Sequence, residues 1–188
     1  NQAMVIGEDL GTVPEEIRQV LADNGVYSYR VFFFEKAEDG GFYSPAHYPQ
    51  QSMSTLTTHD MPTLIGYWHC LDLELGKQLG LYTDDDVLQT LYASRHEDKQ
   101  EILNSLHGHG RAGDQVGRDV NVTGMSRELN FALQTHMAYG SSALLSLQLE
   151  DWLQMDKPVN IPGTFMEYPN WRRKLSRNLE SIFADEDI

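Results

Sequence analysis

The segment Ala3-Met4-Val5-Ile6-Gly7-Glu8-Asp9, with Thr12-Val13-Pro14-Glu15 just after it, decides how the rest of the chain is read. Ala3 to Ile6 is a compact apolar run ending on a glycine and two acids, the pattern of a buried strand in a parallel sheet. Thr12 can cap a helix, Pro14 is tolerated in its first turn, and Glu15 stands three residues after Thr12, the spacing of a capping box. Ile17, Val20 and Leu21 then form an apolar stripe that Asn24-Gly25 stops. Val26 to Phe34 is a second strand, rich in β-branched and aromatic residues. A Gly-, Pro- and Ser-containing loop over residues 39–51 leads to a third strand, Met53 to Thr58, with His59 and Asp60 at its end. Strand, helix, strand, loop, strand is the rhythm of a parallel sheet, where functional groups gather at the C-terminal strand ends.

Further along, the rhythm changes. Asp84-Asp85-Asp86 opens a helical pattern through Val87, Leu88, Leu91 and Tyr92, with acids where the helix dipole favours them. Glu97 to Leu106 continues it through Ile102, Leu103 and Leu106, and a Gly- and Arg-containing loop runs from Gly108 to Gly124. This stretch is too long for a simple crossover and reads as a helical insertion. Arg127 to Ala138 is another helix, Ala143 to Leu149 a fourth strand, and Trp152, Pro158, Pro162 and Pro169 mark an irregular loop. Trp171 to Phe183 reads as a final amphipathic helix through Leu175, Leu179, Ile182 and Phe183. Four strands with their helices make half of an eight-stranded barrel. The reading is α/β, parallel and incomplete, and uncovered sheet edges predict self-association.

Composition narrows the function classes. The 188 residues carry 28 acidic and 14 basic side chains, a net charge of −14. Nucleic acid and anionic membrane surfaces attract clustered Lys and Arg, so neither is an expected partner. A neutral polar substrate is indifferent to such a charge. Cys70 is the only cysteine, which forbids an internal disulfide and points to a reducing, cytoplasmic setting. No apolar run is long enough for a membrane span. The chain opens on Asn1 and enters a strand almost at once, which reads as the middle of something larger.

Two strand-end groups could carry chemistry. Glu8, with Gly7 and Gly11 leaving room around it, could act as a general acid if partial burial kept it protonated. Alternatively, Glu8 or Asp9 caps the following helix or pairs with a neighbouring strand, and Asp9, pointing the other way, is the better structural candidate. His59 and Asp60 suit a sugar, whose hydroxyls accept from imidazole and donate to carboxylate, though Asp60 could equally cap the segment after Pro62. Other schemes fit poorly. Cys70 lies in an apolar helical context and no Gly-x-Ser-x-Gly elbow exists. His107-Gly108-His109 lacks a third ligand at fixed spacing, so no metal is expected. Gly7 to Gly11 places acids, not Lys, where a phosphate would lie. Tyr27, Tyr29, Phe32, Phe33 and Phe34 read as core, whereas Tyr43, Tyr48, Trp68 and Trp152 are open between packing and a sugar platform.

Gly7-Glu8-Asp9-Leu10-Gly11-Thr12-Val13-Pro14 resembles the acid/base segment of amylomaltases, the 4-α-glucanotransferases of glycoside hydrolase family 77. Thr57-Thr58-His59-Asp60-Met61-Pro62-Thr63-Leu64-Ile65-Gly66-Tyr67-Trp68 is similar to that family's transition-state-stabiliser segment. A third match is Pro158-Val159-Asn160-Ile161-Pro162-Gly163-Thr164, followed by Glu167-Tyr168-Pro169-Asn170-Trp171-Arg172-Arg173-Lys174. The three occur in the family's order and span almost the whole chain.

The resemblance implies the C-terminal part of a bacterial enzyme: strands five to eight of a (β/α)8 TIM barrel, with a helical insertion between strands seven and eight. Residues 1–65 would hold strands five to seven, residues 66–125 the insertion, and residues 126–188 the last strand, the cleft loop and a terminal helix. Glu8 would be the acid/base after strand five. Asp60 would stabilise the transition state after strand seven, with His59 beside it, while Asn160, Pro162 and Gly163 line the glucan cleft. No cofactor is implied, and the partners are maltooligosaccharides, glucose and the N-terminal half of the same chain. The family's aspartate nucleophile has no counterpart here and would lie before Asn1, so residues 1–188 alone are expected to be inactive. The implied reaction is a retaining double displacement that moves an α-1,4-glucan segment to the 4-OH of an acceptor. An α-amylase-type hydrolase and a non-catalytic carbohydrate-binding module are the rival readings.

Overall fold

The computed structural model describes residues 3–186. Three parallel strands, β1 (Ser28–Val31), β2 (Ser52–Thr55) and β3 (Leu144–Ser146), form a sheet in the order β1-β2-β3. The expected strand at Ala3–Ile6 survives as a single parallel bridge, Ile6 to Tyr27. Its backbone bonds are Tyr27 N to Val5 O at 2.9 Å and Gly7 N to Tyr27 O at 2.8 Å. Met4, Val5 and Ile6 are exposed there. Among the described residues this segment is paired on one edge only.

Helix α1 (Glu15–Asp23) joins that segment to β1. Its N-cap is Pro14, not Thr12, and no side chain caps it, so the expected capping box does not form. Glu15 and Glu16 in the first turn still favour the start electrostatically. Gly25 ends it at φ +75°, where a side chain would be strained.

The second strand is shorter than its sequence suggests. After Val31, residues Phe32–Phe34 turn into a 3-10 helix. A strand would send Phe32 and Phe33 to opposite faces. The turn buries both in one cluster, with Phe32 stacked on Phe42 at 4.8 Å and Phe33 against Tyr67 at 4.2 Å. Phe34, expected in the core, is exposed as a result. The β1–β2 crossover has no α-helix, only this turn and a second one at Pro45–His47. Two hydroxyls inside the sheet are bonded, Ser52 to Ser142 and Thr55 to the carbonyls of Thr57 and Ser146, whereas Ser28 Oγ is buried without a partner among the described residues.

Between β2 and β3 lie α2 (Leu64–Trp68), α3 (Leu71–Gln78), α4 (Asp85–Gly108) and α5 (Arg127–Ala138). The two helical patterns at Asp84 and Glu97 are one continuous helix of 24 residues, capped by the Asp84 side chain on Asp86 N. Arg95 ties α4 to α2 and α3. It grips Asp72 through two bonds of 2.9 Å, donates to Tyr67 O at 2.7 Å and lies 3.7 Å from the Tyr67 ring centre. Ser126 caps α5, whose Leu129, Ala132, Leu133 and Met137 are buried.

The hydrophobic core runs continuously through these elements. Ile102, Leu103, Leu106, Val116, Val120 and Met125 pack in one cluster with Phe32, Phe33 and Leu56 beside the sheet. Tyr48 and Trp68 belong to this cluster, which decides them as packing residues and not platforms. After β3, Leu149 starts the short helix α6 (Leu149–Trp152) instead of extending the strand. The expected terminal helix is also reduced, to α7 (Leu179–Phe183) capped by Asn178. Trp171 at φ +60° cannot continue a right-handed helix, so residues 171–178 stay irregular. Among the described residues no helix is long and apolar enough to cross a membrane.

Candidate active site

Parallel pairing sends every strand toward the same end, and there the two singled-out acids emerge. Glu8 follows the bridge at Ile6, and Asp60 follows β2, with β1 between them. Two strand spacings correspond to about 10 Å across the sheet. The adjacent acids after Ile6 have separate roles. Asp9 is buried, accepts from Tyr29 N at 2.9 Å through Oδ1, and has Arg18 at 3.9 Å from Oδ2. It fixes the turn leaving the sheet. Glu8 is exposed and has no hydrogen bond or ion pair among the described residues. Burial together with the Glu8 carboxylate pushes the Tyr29 phenol above its ordinary range, which places that charge beside Tyr29.

The second acid is held more firmly. Asp60 Oδ1 accepts from Asn160 Nδ2 at 2.7 Å and lies 3.5 Å from His59 Nε2. Oδ2 has no partner among the described residues, and the Asp60 side chain is 46% exposed. One oxygen is therefore anchored while the other is free to receive a ligand hydroxyl. Asn160 is positioned through its own backbone, whose N–H donates to His59 O at 3.2 Å. Asp60 also borders two hollows. One, about 190 Å³, is bounded by Leu75, Tyr82, Pro158 and Ile161; the other, about 300 Å³, by Phe33, Phe34, Tyr67 and Arg95.

Asn170 braces the loop that carries Asn160, Pro162 and Gly163. Its Oδ1 accepts from Ile161 N at 2.9 Å, and its Nδ2 donates to Thr164 O at 3.1 Å and Thr164 Oγ1 at 2.8 Å. Gly163 turns the chain at φ +82°. The structure thus brings His59, Asp60 and Asn160 into direct contact. Pro162 joins Asp60 in lining the smaller hollow, and Glu8 lines neither. The paired histidines of the sequence diverge: His107 Nε2 lies 3.1 Å from Gly117 O, and His109 Nδ1 2.8 Å from Ser105 O.

Asp151 is the residue that sequence reasoning missed. It is buried, accepts from Thr57 Oγ1 at 2.5 Å and from Leu64 N at 2.8 Å, and its own carbonyl accepts from Asn130 Nδ2 at 2.6 Å. Thr57 and Leu64 bracket the His59-Asp60 loop, so one carboxylate sets both ends of that loop. The available signal was an acid between Leu149 and Trp152, in apolar company just past the fourth strand.

Burial raises Asp151 from the ordinary 3.8 to about 6, against the hydrogen bonds that favour its charge. The native state therefore holds this proton to higher pH than the unfolded chain does. Stability from this group is complete below about pH 4 and is lost as pH rises through 6, on the order of 3 kcal/mol. His136, lowered by burial from 6.5 to about 4, acts in reverse: its contribution is present above pH 6.5 and lost as pH falls through 4. The two oppose each other in the wild type. Asp151→Asn keeps an acceptor for Leu64 N and offers a donor to Thr57 Oγ1, so its Tm relative to wild type is expected to climb between pH 4 and 7. A difference that stays constant over that range would contradict the burial argument.

A parallel α/β sheet with acids at its C-terminal end defines the class, and residues 1–180 match the 4-alpha-glucanotransferase family, Glyco_hydro_77. The chain belongs to that family. It is 40% identical to the Haemophilus influenzae 4-alpha-glucanotransferase over 188 residues, covering 100% of this chain and 27% of the relative. The Mycobacterium tuberculosis H37Rv 4-alpha-glucanotransferase is 32% identical, covering 97% and 26%. The crystal structure of amylomaltase from Corynebacterium glutamicum superimposes with a TM-score of 0.85 at 29% identity, over 98% of this chain and 27% of that one. The amylomaltase from Streptococcus agalactiae in complex with acarbose reaches a TM-score of 0.57 at 18% identity, over 88% and 26%, which shows likeness of fold alone. The chain spans about a quarter of the length of the curated relatives it matches.

Proposed function

We propose that residues 1–188 are the acid/base and stabiliser part of a 4-α-glucanotransferase that works in the cytoplasm on maltooligosaccharides and glucose. The sheet corresponds in this reading to strands five to eight of a TIM barrel: the Ile6 segment, β1, β2 and β3 in order. Residues 66–125 form the insertion, and residues 126–188 the last strand, the cleft loop and the terminal segment. The observation that carries the reading is the family match together with Asp60, anchored by Asn160 on Oδ1 and open on Oδ2.

In the proposed reaction Glu8 protonates the departing glucan oxygen while an aspartate from outside these residues attacks C1. The glucosyl ester forms as the C1–O bond breaks. Glu8 then takes the proton of the incoming 4-OH, and the new α-1,4 bond releases the aspartate. Retention requires the nucleophile and Glu8 to stand about 5–5.5 Å apart. Asp60 Oδ2 binds a ring hydroxyl and balances the oxocarbenium charge, and His59 and Asn160 hold further hydroxyls. Transfer prevails over hydrolysis when the acceptor excludes water from the ester.

Two expected results check this. The polypeptide completed with its nucleophile converts maltotriose to glucose and longer oligomers; water-driven shortening to small products would favour an amylase-type hydrolase instead. Residues 1–188 alone release no glucose from maltotriose, and steady release by the purified chain would refute the need for an outside nucleophile. The same isolated chain exposes Met4, Val5 and Ile6 along its open edge. It is expected to self-associate as concentration rises, and a clean monomer by light scattering would contradict that.

A further inference from the structure

Trp171 stands in the left-handed region at φ +60°, and its side chain is 62% exposed. Either fact is unfavourable for tryptophan. A bulky side chain disfavours positive φ, and a large apolar ring gains by burial. Such strain persists only where the surroundings over-determine the backbone, and it clusters at ligand clamps and active sites. Here the backbone is pinned on both sides. Trp171 N donates to Val159 O at 3.1 Å, Arg172 N to Pro169 O at 3.2 Å, and the Asn170 side chain holds Ile161 and Thr164. These bonds set the indole against His59, with ring centres 5.0 Å apart and planes at 46°. Val159 adjoins Asn160, whose side chain anchors Asp60. The strained backbone therefore presents an open aromatic ring beside the carboxylate with a free oxygen. Trp68, by contrast, is 2% exposed.

We propose that Trp171 is a sugar-stacking residue that sets affinity for the glucan. Its indole serves as the platform for an α-linked glucose ring adjoining the ring bound at Asp60. A pyranose has apolar C–H faces and a polar rim. The indole matches the face, while His59 and Asn160 meet the rim hydroxyls. This assignment rests on the glucan reading above.

The test uses the polypeptide with its catalytic centre complete. Trp171→Ala raises KM for maltoheptaose about tenfold, with kcat changed less than about threefold, and Trp171→Phe restores most of the loss. Trp171→Gly shows the same KM rise with a Tm equal to or above wild type, because glycine carries no penalty at this φ. A merely structural tryptophan would give unchanged KM and a lower Tm in both truncations, and that result overturns the proposal. Maltoheptaose also quenches tryptophan emission in wild type and in Glu8→Gln, and the quench disappears in Trp171→Phe. If Glu8→Gln keeps full turnover while the quench maps to Trp171, the catalytic reading fails and the platform stands. If Glu8→Gln is inactive but Trp171→Phe keeps the quench and Trp171→Ala keeps the wild-type KM, the platform alone is overturned.

Discussion

Replacing Glu8 by glutamine in the polypeptide with a complete catalytic centre lowers kcat for maltotriose by about 10³- to 10⁴-fold. In the proposed reaction both half-reactions then lose their proton transfer, because glutamine can neither protonate the leaving glucan nor deprotonate the acceptor. The fold does not depend on this carboxylate: Glu8 is exposed and has no partner among the described residues. Tm is therefore expected to stay at the wild-type value, which separates the catalytic loss from unfolding. A non-catalytic sugar-binding module would keep whatever activity the preparation shows, and unchanged turnover by Glu8→Gln would count for that rival. Asp9→Asn behaves differently. It weakens the link to Arg18 while still accepting from Tyr29 N, so it alters stability more than turnover.

The second large effect is expected at Asp60. Asp60→Asn keeps an oxygen that can accept from Asn160 Nδ2, so the loop geometry survives. In the proposed reaction, what disappears is the negative charge beside the developing oxocarbenium ion and the strong acceptor for a ring hydroxyl. A positioned charge at short range is worth several kcal/mol to such a transition state, which corresponds to about 10³-fold in kcat. Asn160→Ala leaves the charge but frees Asp60 to swing, and costs less, about 10- to 100-fold. Initial rates with maltotriose for the three proteins check the order. An Asp60→Asn enzyme as active as Asn160→Ala would show that orientation, and not charge, is what Asp60 supplies.

The strand-end acids could be read from the sequence because parallel strands leave a simple trace, a short apolar run stopped by glycine and polar residues. Both Glu8-Asp9 and His59-Asp60 follow such runs, and Asp9 proved the structural member by its bond to Tyr29 N. Strand lengths were less legible. Phe32 and Phe33 look like continued strand, yet burying both in one cluster needs a turn. Helix α4 was visible in pieces because its apolar residues at Leu88 and at Ile102 to Leu106 are far apart, with Arg95 and Lys99 reaching back to α2 between them. The stretch after Trp171 carries a helical period in Leu175, Leu179 and Ile182. The bond from Trp171 N to Val159 O and the Asn170 side-chain bond to Ile161 N override that period at Trp171 itself. Asp151 went unread for a related reason. Its role comes from Thr57 and Leu64, 94 and 87 residues away in sequence, and no local pattern records such a pairing.

A substrate that needs no proton transfer tests most directly whether Glu8 moves the proton. The fluoride of α-maltosyl fluoride departs without protonation as the maltosyl ester forms, and azide attacks that ester without a base. On that pair Glu8→Gln is predicted to form α-maltosyl azide at a rate approaching wild type, while remaining about 10³-fold slower on maltotriose. Equal impairment on both substrates, or none on either, would contradict the assignment of Glu8 as the acid/base.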